Sequence, residues 1–173
     1  MDAADQHVPC TRAWPSGFAL MLGLLALVAG SKAILYDTLD PDCFWHLRVA
    51  DQLQRDGVGP IVDEISFASI KTPWTPYSWL AELGMKRLWD RFGWRAAVFA
   101  QAVMVAGVVV LVGLACRERA GPMPAVVAAA VAMYWCLPYL SFRPATMSVL
   151  LVALCAWLIL RDAERGHRSR AVW

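Results

Sequence analysis

The stretch that decides the fold is residues 96–116, AAVFAQAVMVAGVVVLVGLAC, which carries no charge over 21 residues. A membrane-spanning helix needs about 20 apolar residues, because each residue rises 1.5 Å along a hydrocarbon layer about 30 Å thick. Three more apolar runs lie at residues 18–36, 125–140 and 144–160. The sequence therefore predicts an all-α membrane protein with about four transmembrane helices.

The composition agrees with this fold class. Hydrophobic residues make up 59% of the 173 residues and charged residues 17%, whereas soluble proteins average about 25% charged. We therefore expect a single membrane domain over residues 1–173. The net charge of +2 is small and the basic residues are dispersed, which argues against a nucleic-acid partner. The five cysteines are odd in number and lack metal-ligand spacing, so neither a disulfide framework nor a zinc site is predicted.

The first run has an alternative interpretation as a cleaved signal peptide. Arg12 would be its basic n-region, and Ala29, Gly30 and Ser31 would form the small-residue cleavage site. Apolar residues continue past that site as far as residue 36. This continuation favours an uncleaved membrane anchor.

Basic residues predict the orientation, because Lys and Arg concentrate on the cytoplasmic side. They follow the second and fourth runs, at Arg117, Arg119, Arg161, Arg165, Arg168 and Arg170. We therefore expect a multi-pass protein of the cell membrane with both termini in the cytoplasm and an extracytoplasmic loop at 37–95. One group opposes this orientation by preceding the second run: Lys86, Arg87, Arg91 and Arg95.

The loop at 37–95 has an unusual composition for a connector. It holds nine of the 14 acidic residues and five of the nine tryptophans. Tryptophan rings favour the headgroup level of a membrane, so we expect two interfacial helices here, lying on the membrane surface. The first begins with Asp40 as N-cap and Pro41 at the first helical position, and it ends at Gly57. Its predicted buried side is formed by Phe44, Leu47 and Leu53.

The second interfacial helix is predicted from about Pro76 to Phe92, where Gly93 stops it. Between the two helices, residues 57–73 contain the pairs Gly59-Pro60 and Thr72-Pro73. Such pairs mark turns and loops. We therefore expect an irregular connection.

The segment that carries chemistry is LDPDCFWHLR at residues 39–48. It follows closely on the first membrane helix and crowds Asp37, Asp40 and Asp42 at the outer surface. Asp42 and His46 are four residues apart, so they share a helix face. Crowded carboxylates can yield a general base or hold a divalent cation. The alternative is structural: Asp40 caps the helix, Asp42 favours its dipole, and His46 is a surface or packed histidine.

The same segment resembles the GT-C superfamily of membrane glycosyltransferases. Residues 42–48 are similar to the first-loop motif of the oligosaccharyltransferase catalytic subunit. The wider pattern resembles uncharacterised GT-C-like proteins of the bacterial inner membrane and cell envelope. It continues through three later groups, namely Asp63, Ser66 and Phe67; Trp79, Leu80 and Glu82; and Arg143 with Pro144. The order and the membrane placement of these groups agree over residues 18–160.

The resemblance implies transfer of a sugar from a polyprenyl-phosphate-linked donor at the extracytoplasmic face. It implies that an acidic residue, Asp42 in the first place and Asp40 in the second, is catalytic and serves as general base or binds a divalent cation. It implies that His46, Arg48, Arg143 and Glu82 contact substrate. A guanidinium such as that of Arg143 suits a lipid phosphate. The alternatives are that Arg143 is an interfacial anchor reaching to lipid headgroups and that Glu82 is a solvated helix acid.

Two departures from the family pattern qualify the resemblance. We expect His-Glu before Trp79, where this chain has Tyr77 and Ser78. GT-C enzymes also have roughly twice as many spans or more, so we expect the N-terminal part of such a fold, inactive when alone. The alternative function is a non-catalytic membrane protein that binds lipid-linked glycans or assembles with a partner membrane subunit. A transporter-like bundle ranks last, because the later runs lack ionisable residues.

Overall fold

The computed structural model describes residues 16–36, 39–64, 71–136 and 138–164. These ranges form the helices α1 (Ser16–Tyr36), α2 (Pro41–Asp56), α3 (Trp79–Ala120), α4 (Pro122–Cys136) and α5 (Pro144–Glu164), and the strands β1 (Ile61–Val62) and β2 (Pro73–Trp74). Three of the helices, α1, α3 and α5, are long and apolar enough to cross a membrane. The chain is therefore a helical membrane protein, as predicted.

The predicted span at 125–140 differs from the others in length. It corresponds to α4, which has 15 residues and ends at Cys136. At 1.5 Å per residue, α4 is about 22 Å long, shorter than the hydrocarbon layer of about 30 Å. Pro138 lies in a turn just after α4, and a proline pushes the preceding residue out of helical geometry. Three of the four predicted spans thus have full length, and the third in chain order is a shorter apolar helix.

The helices of the bundle share two ends. At one end, the guanidinium of Arg117 lies 4.8 Å from the ring centroid of Phe18 at the start of α1. At the same end, Arg119 forms a 3.1 Å ion pair with Glu164 at the end of α5. At the other end, α2 packs against α3, and the loop between α4 and α5 lies against it. Helix α4 therefore carries the chain from one end of the bundle to the other.

Tight helix packing forms the core between α1, α3 and α4. A Cβ added to Gly113 on α3 would lie 2.5 Å from Cδ1 of Leu22 on α1 and 3.4 Å from Cβ of Ala129 on α4. Small residues at such positions let membrane helices approach closely. Gly113 therefore marks the point where these three helices meet.

Helix α3 contains the second interfacial helix and the second predicted span, joined by a kink. Gly93 has a φ of 70° and a ψ of −161° inside the helix, and glycine adopts this backbone geometry far more readily than other residues. The predicted break at Gly93 is thus confirmed. The helix begins at Trp79, three residues after the predicted start at Pro76.

The first interfacial helix has the predicted caps. The side chain of Asp40 accepts a hydrogen bond from the Asp42 amide, Pro41 occupies the first turn, and Gly57 follows the last residue. Leu47 and Leu53 are buried as expected, but the prediction was wrong for Phe44, which is 43% exposed. The ring of Phe44 contacts Trp89 and Trp94, on opposite sides of the kink in α3.

The connection after α2 is more regular than predicted. Strands β1 and β2 form a two-stranded antiparallel sheet with Ile61 opposite Trp74 and Val62 opposite Pro73. Ile61 is buried against Val49 and Leu53 of α2. The side-chain amide of Gln52 donates a 2.6 Å hydrogen bond to the Val62 carbonyl. Side chains of α2 thus stabilise a strand pair that is too short to produce an alternating sequence pattern.

Candidate functional site

Two acidic residues at the start of α2 meet an arginine from the loop before α5. Nη1 of Arg143 lies 3.0 Å from Oδ2 of Asp42 and 3.5 Å from Oδ2 of Asp40. Its Nη2 donates a 3.1 Å hydrogen bond to the carbonyl of Tyr139. Asp42 and Arg143 are 101 residues apart in sequence. The sequence placed them on the same side of the membrane, and the structure places them in contact.

Side chains of α3 and α5 hold the loop that carries Arg143 in place. The Phe142 amide donates a 3.0 Å hydrogen bond to Oε1 of Gln101 on α3, and the Ser141 amide donates a 3.1 Å bond to Oγ1 of Thr146 on α5. The Phe142 side chain is 1% exposed and packs in a cluster with residues of α2 and α3. Backbone groups and a buried ring thus fix the position of Arg143. Sequence reasoning missed this support, although Gln101 is the one polar side chain in the run at 96–116.

A second polar group joins α2 to the first turn of α3. Nδ1 of His46 lies 2.9 Å from Oε1 of Glu82, and Oγ of Ser78 donates a 2.7 Å hydrogen bond to the same oxygen. The side chains of His46 and Glu82 are 13% and 1% exposed. A carboxylate buried to this extent is costly unless polar partners compensate it. The structure therefore contradicts the alternative of a solvated helix acid at Glu82.

Two buried polar atoms near these groups lack a hydrogen-bond partner. They are Oε2 of Glu82 and Nε of Arg143. Buried polar atoms are nearly always satisfied in proteins, so an unpaired one often marks a functional position or a bound water. Here each of the two polar groups has one such atom.

Burial and charge also act on Cys43, which lies between Asp42 and Phe44 in α2. Burial, with a smaller contribution from the negative charge of Asp40, raises the pKa of the Cys43 thiol to about 11. Because the thiolate is the reactive form, Cys43 is an unreactive packing residue beside the site.

The basic group that opposed the predicted orientation is partly neutralised. Lys86 lies 3.0 Å from Asp51 of α2 and also pairs with Asp90. Its hydrogen bond to Asp90, together with the two negative charges, raises the pKa of the Lys86 ammonium. Lys86 therefore joins α2 to α3 and counts less as a free positive charge on the predicted outer side.

Arg48 lies apart from the other predicted site residues. Its side chain is 73% exposed, and its nearest acidic partner is Asp51 at 3.9 Å. At 3.6 residues per turn, a position two residues after His46 is rotated about 200° around the helix. Arg48 lines an open polar depression with Asp51, Gln52, Gln54, Arg55 and Glu64. The structure thus brings together Asp40, Asp42, His46, Glu82 and Arg143, in two adjoining groups, without Arg48.

The remaining motif residues have mixed positions. Ser66 and Phe67 lie outside the described residues, as does Asp37. Trp79 is 39% exposed and Leu80 is 70% exposed at the start of α3, in the same turn as the buried Glu82. Asp63 lies just after β1. Among the described residues of the later groups, Glu82 and Arg143 contact the acidic residues or the histidine of α2.

Aromatic rings lie beside His46 along one side of α2. Trp45 stacks on Trp74 of β2 with 5.6 Å between ring centroids, and its ring meets the His46 imidazole edge-on at 5.1 Å. Stacked rings of this kind give rigid contact surfaces for flat or partly apolar ligands. The site therefore combines charged groups with an aromatic wall.

The structure bears on the structural alternatives for Asp40 and Asp42, as cap and first-turn acid, and for Arg143, as an anchor to lipid headgroups. Asp40 is the helix cap and Asp42 lies in the first turn, so the structural roles are real, and both acids contact Arg143 as well. Arg143 is 23% exposed and ion-paired, which disagrees with a side chain reaching freely to headgroups.

Comparisons with protein-family models, with curated proteins and with solved structures find no match to this chain. The fold and the site define a helical membrane protein with a partly buried polar cluster at one end of its bundle.

Proposed function

We propose that this chain provides the donor-binding and acceptor-binding loop of a membrane glycosyltransferase that uses a polyprenyl-phosphate-linked sugar. The observation that carries the proposal is the contact of Arg143 with Asp42 and Asp40 at one end of the bundle. Acidic residues and a guanidinium with an unpaired Nε supply both charges that sugar transfer from a lipid phosphate requires. These are also the residues on which the resemblance to GT-C enzymes rests.

The proposed site faces the extracytoplasmic side. Arg117 and Arg119 lie at the opposite end of the bundle, close to Glu164 and the last turn of α5. Because basic residues concentrate in the cytoplasm, that end is assigned to the cytoplasmic side. In this topology α4 is the third and shortest of four crossings, both termini are cytoplasmic, and α2 lies on the outer surface.

The proposed chemistry divides between a cation and two acids. The planar guanidinium of Arg143 offers paired donors that match phosphate oxygens. Asp42 has the position of the general base in the resembling enzymes, and here its Oδ2 accepts a hydrogen bond from Nη1 of Arg143. Asp40 keeps its capping bond to the Asp42 amide and is the less available acid.

The described residues fit a divalent cation poorly. Such a cation takes six or more oxygen ligands, whereas Asp40 and Asp42 both lie against the positive charge of Arg143. Across the described ranges, no group of three His, Cys, Asp or Glu residues could hold a metal ion. We therefore derive no step through a metal.

A second candidate function is non-catalytic binding of lipid-linked glycans, alone or with a partner membrane subunit. The ion pair between Asp42 and Arg143 favours it, because this contact holds both side chains in place for a ligand and involves no proton transfer. The stacked pair of Trp45 and Trp74 would serve a bound sugar equally well. Sugar transfer, rather than binding, separates the two functions.

Binding of a short-chain polyprenyl phosphate to the purified protein tests the role of Arg143. We expect Arg143→Gln to weaken binding about 10–100-fold, since a hydrogen bond to a charged group contributes about 1.5–3 kcal/mol. Arg143→Lys keeps the charge and should lie between. The matched control is Arg91→Gln, because Arg91 lies over the Phe92 ring and away from the loop of Arg143. Equal affinity of wild type and Arg143→Gln would contradict the proposal.

A further inference from the structure

The group formed by His46, Glu82 and Ser78 has a geometry that packing does not require. Glu82 and His46 come from two helices, 36 residues apart, and meet at 2.9 Å. Placing a carboxylate where it is 1% exposed costs free energy. An apolar residue at position 82 would pack against α2 without that cost. The unfavourable burial of Glu82 therefore indicates that its carboxylate has a functional role.

The hydrogen bonds assign a role to each atom. Oε1 of Glu82 accepts from the Ser78 hydroxyl at 2.7 Å. If Glu82 is a carboxylate, which can only accept, the 2.9 Å contact assigns the ring proton of neutral His46 to Nδ1. In the neutral imidazole the lone pair then lies on Nε2. Within the described residues Nε2 has no hydrogen-bond partner, and it is not among the enclosed polar atoms.

This arrangement prepares the imidazole to accept a proton. When Nε2 gains a proton, the ring becomes positive beside a buried carboxylate that compensates the new charge. The same logic operates where an acid orients a catalytic histidine and stabilises its imidazolium form. Asp42 instead contacts a cation, since its Oδ2 lies 3.0 Å from Nη1 of Arg143.

The two groups lie side by side on α2. Asp42 and His46 are four residues apart on one helix, a spacing that places Cβ atoms about 5–6 Å from each other. A phosphate at Arg143 and an acceptor at His46 would therefore be neighbours. This distance is compatible with a sugar that lies between them.

We propose that His46 is the proton acceptor of the transfer reaction, through Nε2, and that Glu82 and Ser78 are positioning residues. The proposal rests on the proposed function and deepens it. The acceptor is a hydroxyl compound. Its oxygen forms a bond to the anomeric carbon of the sugar, and its O–H proton moves to Nε2. The bond between the anomeric carbon and the phosphate oxygen breaks, and its electron pair leaves with the polyprenyl phosphate. Asp42 then serves to hold Arg143 in place.

Transfer kinetics in native membranes, where a partner membrane subunit would also be present, test this assignment with a panel of radiolabelled polyprenyl-phosphate sugars. Loss of a general base costs about 100–10,000-fold in rate, so we expect this loss in kcat for His46→Gln with little change in donor KM. Glu82→Gln should lower kcat in the same direction by a smaller factor. The matched control is Glu64→Gln, because Glu64 is exposed and paired with Arg55 on α2.

The tautomer of His46 supplies a readout that a purely structural role would not move. Nitrogen NMR of histidine-labelled protein, with His7→Gln and His167→Gln, leaves His46 as the one labelled site. We expect a proton on Nδ1 in the neutral ring, and an increased Nε2-protonated fraction in Glu82→Gln. A ring with the proton on Nε2 in the wild type would overturn the proposal.

The outcomes distinguish the inference from the function on which it rests. If the wild type transfers sugar and His46→Gln transfers at a similar rate, His46 is not the proton acceptor and the proposed function stands. If the wild type transfers no sugar from any donor, both proposals fall. If His46→Gln is inactive because it unfolds, its thermal transition will be lost as well, and Glu82→Gln with the NMR readout then decides.

Discussion

Replacement of Phe142 by alanine tests the support beneath Arg143. The ring is 1% exposed and packs with Leu39, Cys43 and Met85 in one cluster, so its removal leaves a cavity that the surrounding helices cannot fill. Such Phe→Ala changes cost about 3–5 kcal/mol. We expect Phe142→Ala to lower the free energy of unfolding by an amount in this range. Titration of the detergent-purified protein with a denaturing detergent measures it, since Trp89 and Trp94 border the cluster and report unfolding by fluorescence.

The matched control is Phe99→Ala, the same chemical change on α3 at a side chain that is 62% exposed. Exposed substitutions usually change stability by less than about 0.5 kcal/mol. A difference of at least about 2 kcal/mol between the two variants is therefore expected. Equal unfolding free energies would refute the buried position of Phe142, and with it the fixed placement of the loop that carries Arg143.

Three further predictions concern caps, reactivity and topology. Asp40→Ala should lower the free energy of unfolding by about 1 kcal/mol, because the Asp42 amide loses its acceptor. Asp40→Asn should lower it less, since asparagine caps helices as well as aspartate. Equal losses in the two variants would contradict the cap. With a pKa raised to about 11, Cys43 should remain largely protonated up to about pH 9 and react slowly with maleimide there, with the rate rising at higher pH. The comparison is a single-cysteine variant with Arg48→Cys, because the Arg48 side chain on the same helix is 73% exposed. Fast labelling of Cys43 at pH 7 would be inconsistent with its burial. Intact cells lacking the native cysteines should be labelled at Ser69→Cys and protected at Ser169→Cys, and the reverse pattern would invert the proposed topology.

Local features of the fold were predictable from sequence because they depend on neighbouring residues. A capping aspartate followed by proline starts α2, a glycine follows its end, and another glycine breaks α3, all at the predicted positions. The three full-length apolar helices likewise follow from uninterrupted hydrophobic runs. Helix α4 begins at Pro122, three residues before the predicted run, and ends at Cys136, four residues before its predicted end, because Pro138 limits it.

The contacts of the site were less predictable, because they depend on how helices pack. Sequence placed Arg143 and Asp42 on one side of the membrane, but the bond to Gln101 that fixes the loop requires the register between α3 and α5. Glu82 was expected to be solvated more readily than buried, because nothing in its neighbourhood shows that α2 covers it. Only the packed structure brings His46 to Glu82.

Helix geometry separates the side chain of Arg48 from that of His46. Arg48 was grouped with His46 because the resemblance includes both residues in one motif. Two residues along a helix correspond to about 200° of rotation, so the two side chains cannot face the same site. The exposed position of Arg48 follows from that angle.

The most direct test of the central claim is sugar transfer by Asp42→Asn in native membranes, where a partner membrane subunit would also be present. This change keeps the shape of the side chain and removes the charge that holds Arg143 at 3.0 Å. The control is Asp90→Asn, which removes an acid paired with Lys86 away from the site. We expect kcat/KM for a polyprenyl-phosphate sugar to fall at least about tenfold in Asp42→Asn, the effect of one lost charge-assisted hydrogen bond, and to stay within about twofold of wild type in Asp90→Asn, as for an exposed ion pair. Transfer by Asp42→Asn at the wild-type rate would contradict the account.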